Sequence, residues 1–443
     1  MEANFFMAVT LGFITAVAVS IGKWWFKRWF NPLSIYSALW GFCLVNYELR
    51  LIQYYPISTI AWVYIAIAWV SLYLGAGTVL LLAKPRESST ARSFGVDVNC
   101  LKKVILTLSA IGSLGLISQL LAISHEFGNP VIALITNAGE IYGARISNEL
   151  YGLNYAGAFS FAACTLAGIY TAKLARLTLV AAIPLVLVTL QLVAVMGRTG
   201  LGVAAVLFSV SFLYTPRPVR FSIPGWQRMI GAMLAAALAG GFILVSSIRR
   251  LDVNFVGITP GIEKVSEYLP FFPSLYSNFS ATPVAFSLYL ASPEQEKTGF
   301  WGMYTFAPAF RLISRLGFLC SVPAHEENYY TPVPMNTGTY LKNVHSDFGA
   351  AGILVFPYLL GASVTLLLIR VSSVPRLLGL TLLANLFVLV VFTFAFNFML
   401  LGDWYIGLVV SALGAIVVDK RMSRADPTGL RKGLRYRSLL LSQ

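Results

Sequence analysis

The sequence predicts an all-α protein that crosses a membrane many times, and three observations carry that prediction. Charged residues make up 11% of the chain, against roughly 25% in a soluble globular protein. Hydrophobic residues make up 57% and the mean hydropathy is +0.75. Apolar runs close to the ~20 residues that a bilayer core demands of one helix recur along the whole length.

Those runs lie near 5–22, 33–52, 57–83, 104–124, 155–173, 178–196, 200–215, 228–248, 347–369, 377–400 and 403–418. They predict about 11 transmembrane helices. The first run has no basic residue before it. The basic stretch "KWWFKR" (23–28) follows it instead, whereas a secretory signal peptide carries its charge in front. A retained helix with its N-terminus outside is the reading. Charge tests this orientation. Segments 23–31, 84–103, 173–177, 216–228, 370–376 and 419–443 then face the cytoplasm, and they hold 22 of the 32 Lys and Arg residues. That bias is the positive-inside pattern. The net charge of +14 therefore reads as cytoplasmic retention of basic residues, and no nucleic-acid partner is expected. The tail 419–443 is basic and expected to lie against anionic lipid.

Four blocks result. Residues 1–248 hold helices 1–8, with a first outer loop near 125–154. Residues 249–346 form a large outer loop, 347–418 hold helices 9–11, and 419–443 form the cytoplasmic tail. A loop of nearly a hundred residues is too long for a connector. Its segments "YLPFFPSLYSNF" (268–279), "PVAFSLYLASP" (283–293) and "FWGMYTFAPAFRLISRLGF" (300–318) repeat apolar residues at helical spacing between prolines. Two or three amphipathic helices on the outer membrane face are expected, most aromatics meeting lipid. No internal repeat is apparent, which disfavours many transporters. Cys43, Cys100, Cys164 and Cys320 show no CxxC spacing, which argues against a zinc site or a disulfide framework. His125, His325 and His345 are too scattered for a metal cluster, so no metal and no cofactor are expected.

Ten Lys and Arg residues remain outside, and seven are arginines. Arg198, in "VAVMGRTGLGVAAV", either snorkels to the interface or faces a polar cavity between helices. Arg249 and Arg250 follow helix 228–248 directly, where they compensate the helix dipole or bind an anion. Arg145 stands in the first outer loop. Arg311 and Arg315 are four apart on one helix face; one suits substrate, and the other suits pairing with Glu326 or Glu327. Guanidinium groups bind phosphate oxygens bidentately and stay charged. Together they suit a lipid-linked phosphate or pyrophosphate substrate.

The segment "NTGTYLKNVHSDFGAAGILVFPYLLGAS" (336–363) starts polar and ends as membrane. It puts His345 and Asp347 at the lip of a helix. His345 is suited to take a hydroxyl proton near neutral pH. Asp347 orients a partner, holds an arginine, or N-caps the helix starting at Phe348.

This layout resembles the Wzy-type O-antigen and exopolysaccharide polymerases of bacteria. The likeness rests on the stretch above, on "NPLSIYSALWGF" (31–42), "YYPIS" (54–58), "GRTGLG" (197–202) and "SSIRRL" (246–251). It implies a GT-C-like glycosyltransferase of the bacterial inner membrane, working on its periplasmic face without a metal. Its substrate would be an oligosaccharide on undecaprenyl pyrophosphate, and a chain-length regulator would be a partner. Arg198, Arg249 or Arg250, and the His345/Asp347 pair occupy matching positions; Arg145 and Arg311 match less closely. An O-antigen ligase and a flippase of lipid-linked glycan are the competing readings.

Overall fold

A computed structural model describes residues 4–83, 95–146, 154–194, 197, 199–216, 240, 257–292, 301–317, 329–332, 334–335 and 337–425. The expected helix 228–248 apart from residue 240, Arg198, Arg249, Arg250 and the tail beyond 425 lie outside them.

The described residues form a helical, membrane-embedded bundle. Helices α1 (Phe5–Phe26), α2 (Pro32–Leu49), α3 (Thr59–Leu82), α4 (Val98–Phe127), α5 (Pro130–Thr136) and α6 (Ala138–Ile146) come first. They are followed by α7 (Ala158–Leu174), α8 (Leu179–Ala194) and α9 (Thr199–Tyr214). The large loop contributes α10 (Pro260–Tyr268), α11 (Phe272–Ser280), α12 (Thr282–Ala291) and α13 (Ala307–Arg315). Then come α14 (Thr339–Ser373), α15 (Leu377–Phe392) and α16 (Gly402–Ala425). A two-stranded antiparallel ribbon, β1 (Tyr329–Tyr330) with β2 (Pro334–Met335), is a small departure from all-α.

Among the described residues, six helices are long and apolar enough to span a membrane, and four more are apolar but only 10–17 residues long. The sequence count of eleven gave each apolar run its own span. The difference has a physical source in α15, which stops at Phe392 although its apolar run continues to 400. There the chain leaves the helix, and the carbonyls of Thr393 and Ala395 accept the amides of Tyr340 and Thr339, at 3.0 and 3.1 Å. The first turn of α14 thus finds acceptors deep in the bundle, where no water would replace them.

Helix ends follow local chemistry. Asn31 caps α2 by accepting from the Ser34 amide at 2.9 Å, with Pro32 at the first helical position, a site where its missing N–H costs nothing. Helices α3 and α14 cross at two glycines. A Cβ on Gly75 would fall 2.0 Å from the Tyr358 carbonyl oxygen, and one on Gly361 2.1 Å from that of Leu72. Lipid tails are as apolar as leucine, so close backbone contact replaces hydrophobic collapse as the glue.

Two of the four described loop helices are packed into the bundle, where the sequence led us to expect amphipathic helices on the membrane face. In α11, Pro273, Ser274, Tyr276, Ser277 and Ser280 are buried; in α12, Thr282 through Ser287 are buried, with Tyr289. Polar pairs fasten them to the linker after α2. Tyr54 and Ser280 share a hydrogen bond at 2.8 Å, and the Ser287 hydroxyl accepts from the Ser58 amide at 2.8 Å. Helix α10 is continuous with this platform, since Gln53 and Thr259 donate to Gly257 and Leu51 at 2.9 and 3.1 Å. The aromatics Tyr276, Phe286 and Tyr289 are core rather than lipid contacts. Helices α10 and α13 keep exposed apolar residues, Val265 and Tyr268 on the first, Leu312 and Ile313 on the second.

Candidate active site

Helix α14 begins at Thr339, so the polar stretch around His345 is helical. Two segments join at Gly349, whose φ of 58° and ψ of −150° interrupt the helix. This backbone region is essentially closed to residues with a Cβ. Gly352 has a different task. A Cβ there would lie 2.7 Å from the carbonyl oxygen of Val344 and from Cβ of Phe348. The first glycine of "FGAAG" turns the chain, and the second lets the turn close.

The short segment 339–348 is not a surface cap. Thr339, Tyr340, Leu341, Lys342, Asn343, Val344 and Asp347 are buried. Tyr340 meets Tyr36 of α2, hydroxyl to hydroxyl, at 3.3 Å. The Trp40 indole N–H donates to Thr393 Oγ1 at 3.1 Å. The Lys342 ammonium sits 4.6 Å from the ring centre of Tyr329, which ties the ribbon to the same segment. The "NPLSIYSALWGF" stretch is therefore the wall on which the re-entrant segment rests.

Asp347 does not N-cap a following helix, which corrects that expectation: it lies within the helical segment that precedes the kink. Its Oδ1 accepts from the Tyr304 amide at 2.9 Å, and its Oδ2 accepts from the Thr305 amide. The Gly302 amide adds a third backbone donor. A buried carboxylate is kept by such donors, and here they belong to the turn that opens α13. On the other side, Asn397 donates from Nδ2 to the Thr305 carbonyl at 3.2 Å. Asp347 and Asn397 together clamp the start of the helix carrying Arg311 and Arg315. Arg311 is half-buried and Arg315 exposed.

His345 is half-buried. Its Nδ1 is 3.2 Å from the Tyr289 hydroxyl, and Ser346 donates to that same hydroxyl at 2.8 Å. The Tyr289 ring stands edge-on to the imidazole at 5.7 Å between centres. Tyr64, from α3, flanks it at 5.4 Å. Burial raises the pKa of the Tyr289 hydroxyl, against the opposing pull of its bond from Ser346. The phenol thus stays protonated at neutral pH and can donate.

The structure therefore joins His345, Asp347 and the Arg311/Arg315 helix in one neighbourhood. Arg145 lies on α6, whose Ile141 clusters with Ile123, Ala133 and Ala194; its side chain is outside the described residues, as are Glu326 and Glu327. Tyr289, Ser346, Tyr64, Thr305 and Asn397 were not found by sequence reasoning. Tyr289 is embedded in an apolar run, and Asn397 sits in what reads as the end of a span. Only the recurrence of polar residues after position 392 hinted at a break there.

No family model, no curated protein and no solved structure matches this chain.

Proposed function

We propose that the chain is a glycosyltransferase that polymerises oligosaccharide repeat units carried on undecaprenyl pyrophosphate, at the periplasmic face of the bacterial inner membrane. The observation that supports this most is the buried polar segment 339–348, which brings His345 to one end of an apolar bundle and fastens an arginine-bearing helix beside it through Asp347. Ionisable groups placed so deep in a membrane protein are expensive, and by default they mark a functional site.

In the proposed reaction an acceptor hydroxyl forms a bond to the anomeric carbon of the donor glycan. The bond from that carbon to the pyrophosphate oxygen breaks, and its electron pair leaves with the pyrophosphate. The hydroxyl proton is lost to a base or to water. Arg311 and Arg315, with Arg198, Arg249 and Arg250, are the groups suited to the departing charge. Orientation of two large lipid-anchored substrates would supply much of the rest. On this reading the basic tail and the N-terminal "KWWFKR" stretch face the cytoplasm.

The test is to incubate purified protein with a lipid-pyrophosphate-linked repeat unit in the presence of EDTA and resolve the products on a gel. A ladder is expected from the wild type, and loss of it from His345→Ala, Arg311→Ala, Arg250→Ala and Arg198→Ala. Transfer of finished glycan to a lipid A core would identify a ligase instead. Translocation in vesicles without a new glycosidic bond would identify a flippase.

A further inference from the structure

Helix α1 turns most of its surface outward, and of its residues only Ala8, Leu11 and Gly22 are buried. Phe13, Ala16, Val17, Ser20, Ile21 and Trp24 line a shallow hollow of about 490 Å³ on that face. The small residues Ala16 and Ser20 stand between the larger Phe13 and Trp24, and the Ser20 hydroxyl is satisfied by the Ala16 carbonyl at 2.8 Å. At 1.5 Å per residue the hollow runs about 16 Å along the helix, roughly half of a ~30 Å hydrocarbon core. A partner helix would pack along the full span, whereas one acyl chain of one leaflet needs only this half. The hollow ends in charge. Lys23 lies three positions beyond Ser20, on the same side of the helix, with its ammonium 3.8 Å from the Trp29 ring centre. Lys27 caps the helix, and its ammonium is 5.7 Å from the ring centre of Trp24, the last residue of the hollow. Arg28 follows, 5.6 Å from the ring centre of Tyr214. The turn that carries them is held in place. Asn31 donates from Nδ2 to the Arg28 carbonyl at 2.7 Å, and the Tyr214 hydroxyl donates to the Phe30 carbonyl at 2.5 Å. All three cations are exposed, and among the described residues no carboxylate pairs with them.

We infer that α1 and the turn after it form a binding site for one anionic phospholipid, with its phosphate held by Lys23, Lys27 and Arg28 and one acyl chain laid in the hollow from Trp24 to Phe13. Charge and length choose this occupant together. An anionic headgroup supplies the counter-charge that the three cations lack, while a zwitterionic one brings an ammonium that they repel. Basic residues at a membrane surface favour anionic lipid by roughly fivefold each. The site lies at the end of the bundle opposite His345, so it is separate from the proposed glycan site and does not rest on the polymerase reading.

The test uses full-length protein, stripped of lipid in detergent and titrated with phosphatidylglycerol or with phosphatidylcholine of the same chains. Native mass spectrometry counts the lipids bound. The wild type is expected to hold one phosphatidylglycerol roughly tenfold or more tighter than phosphatidylcholine, and to lose that margin as salt rises. Lys23→Gln/Lys27→Gln/Arg28→Gln should reduce the margin to about twofold or less. Ala16→Leu/Ser20→Leu fills the hollow at exposed positions; it should weaken both lipids several-fold and leave the margin between them. An equal loss of charge in the tail, Arg431→Gln/Lys432→Gln/Arg435→Gln, should leave the first phosphatidylglycerol bound as in the wild type. Thermal midpoints show that each variant is folded, and Ser20→Leu alone stands in if the double variant unfolds. No margin in the wild type, a margin that survives the triple change on α1, or a margin lost with the tail charges overturns the inference. So does an affinity that filling the hollow leaves unchanged. A protein dimer that the filled hollow breaks would overturn it too, because the face would then belong to a second copy of the chain.

Discussion

Asp347 shows how little a motif says about a role. As one letter of "HSDFG" it reads as a helix cap or a catalytic acid. In the fold, its two oxygens accept backbone amides from the turn before α13. Asp347→Asn keeps the size but replaces one acceptor oxygen with a donor that faces an N–H. The expected cost is about 1–3 kcal/mol, read as a lower unfolding midpoint in detergent and as faster proteolysis between α12 and α13. Asp347→Glu should disturb the same turn, because the added methylene pushes the carboxylate past its donors. If Asp347 instead serves only as an acid or base, Asn would keep stability and lose activity. His345 and Asp347 were both legible as unusual because ionisable groups are rare in so apolar a chain. Their partners were not. Tyr289 looks like any aromatic of a greasy helix, and Asn397 like the frayed end of a span, since hydrogen bonds across 56 or 92 positions leave no periodic trace in a sequence.

At the scale of elements, the glycines of the re-entrant helix separate two physical demands. Gly349 has no atom within 4 Å of a built Cβ, so space is not what selects it; its positive φ is. Gly349→Ala is expected to cost roughly 1–3 kcal/mol through backbone strain alone, and Gly349→Asn about as much, because a ψ of −150° lies outside the left-handed helical region that asparagine tolerates. Gly352→Val fails for the other reason, by collision with the Val344 carbonyl, and should be the worse of the two. Denaturation midpoints of the three variants test that order. The same argument applies where α3 crosses α14. Gly361→Leu drives a side chain into the Leu72 carbonyl, and helix separation there, measured by spin labels on exposed positions such as Leu74 and Leu359, should grow by an ångström or more, about the added width of the side chain. Helix identity was legible from apolar runs and from the "NP" cap of α2. Helix ends were not legible where tertiary contacts set them. The apolar run to 400 gives no sign that two of its carbonyls are required elsewhere, by the amides of Thr339 and Tyr340.

On the scale of the whole molecule, the described helices alternate between two ends. The end bearing the re-entrant segment gathers the linker 53–58, the turns after α4 and the loop helices α10–α13. The opposite end gathers Lys23, Lys27, Arg28, Lys173, Arg176, Arg370 and Arg376. Aromatic rings hold some of these cations: Lys23 lies 3.8 Å from the Trp29 ring centre, and Arg28 lies 5.6 Å from that of Tyr214. Tryptophan and tyrosine favour the membrane–water boundary, and basic residues favour its cytoplasmic side. The alternation was legible from the apolar runs; the burial of α11 and α12 was not, because an apolar helix under a loop and one on a lipid surface have the same composition. Orientation can be tested with single cysteines at exposed positions, Tyr55→Cys at the re-entrant end and Val374→Cys at the other. The native Cys43, Cys100 and Cys164 are buried, so Cys320→Ser completes a quiet background. In cells whose outer membrane alone is permeabilised, a membrane-impermeant maleimide should label position 55 fully, and position 374 only after the inner membrane is opened. Labelling in the reverse order would put His345 in the cytoplasm, away from any periplasmic substrate, and the proposed reaction would fail with it. Equal labelling of both positions would mean that an odd number of the helices between them does not cross, and the alternation itself would have to be given up.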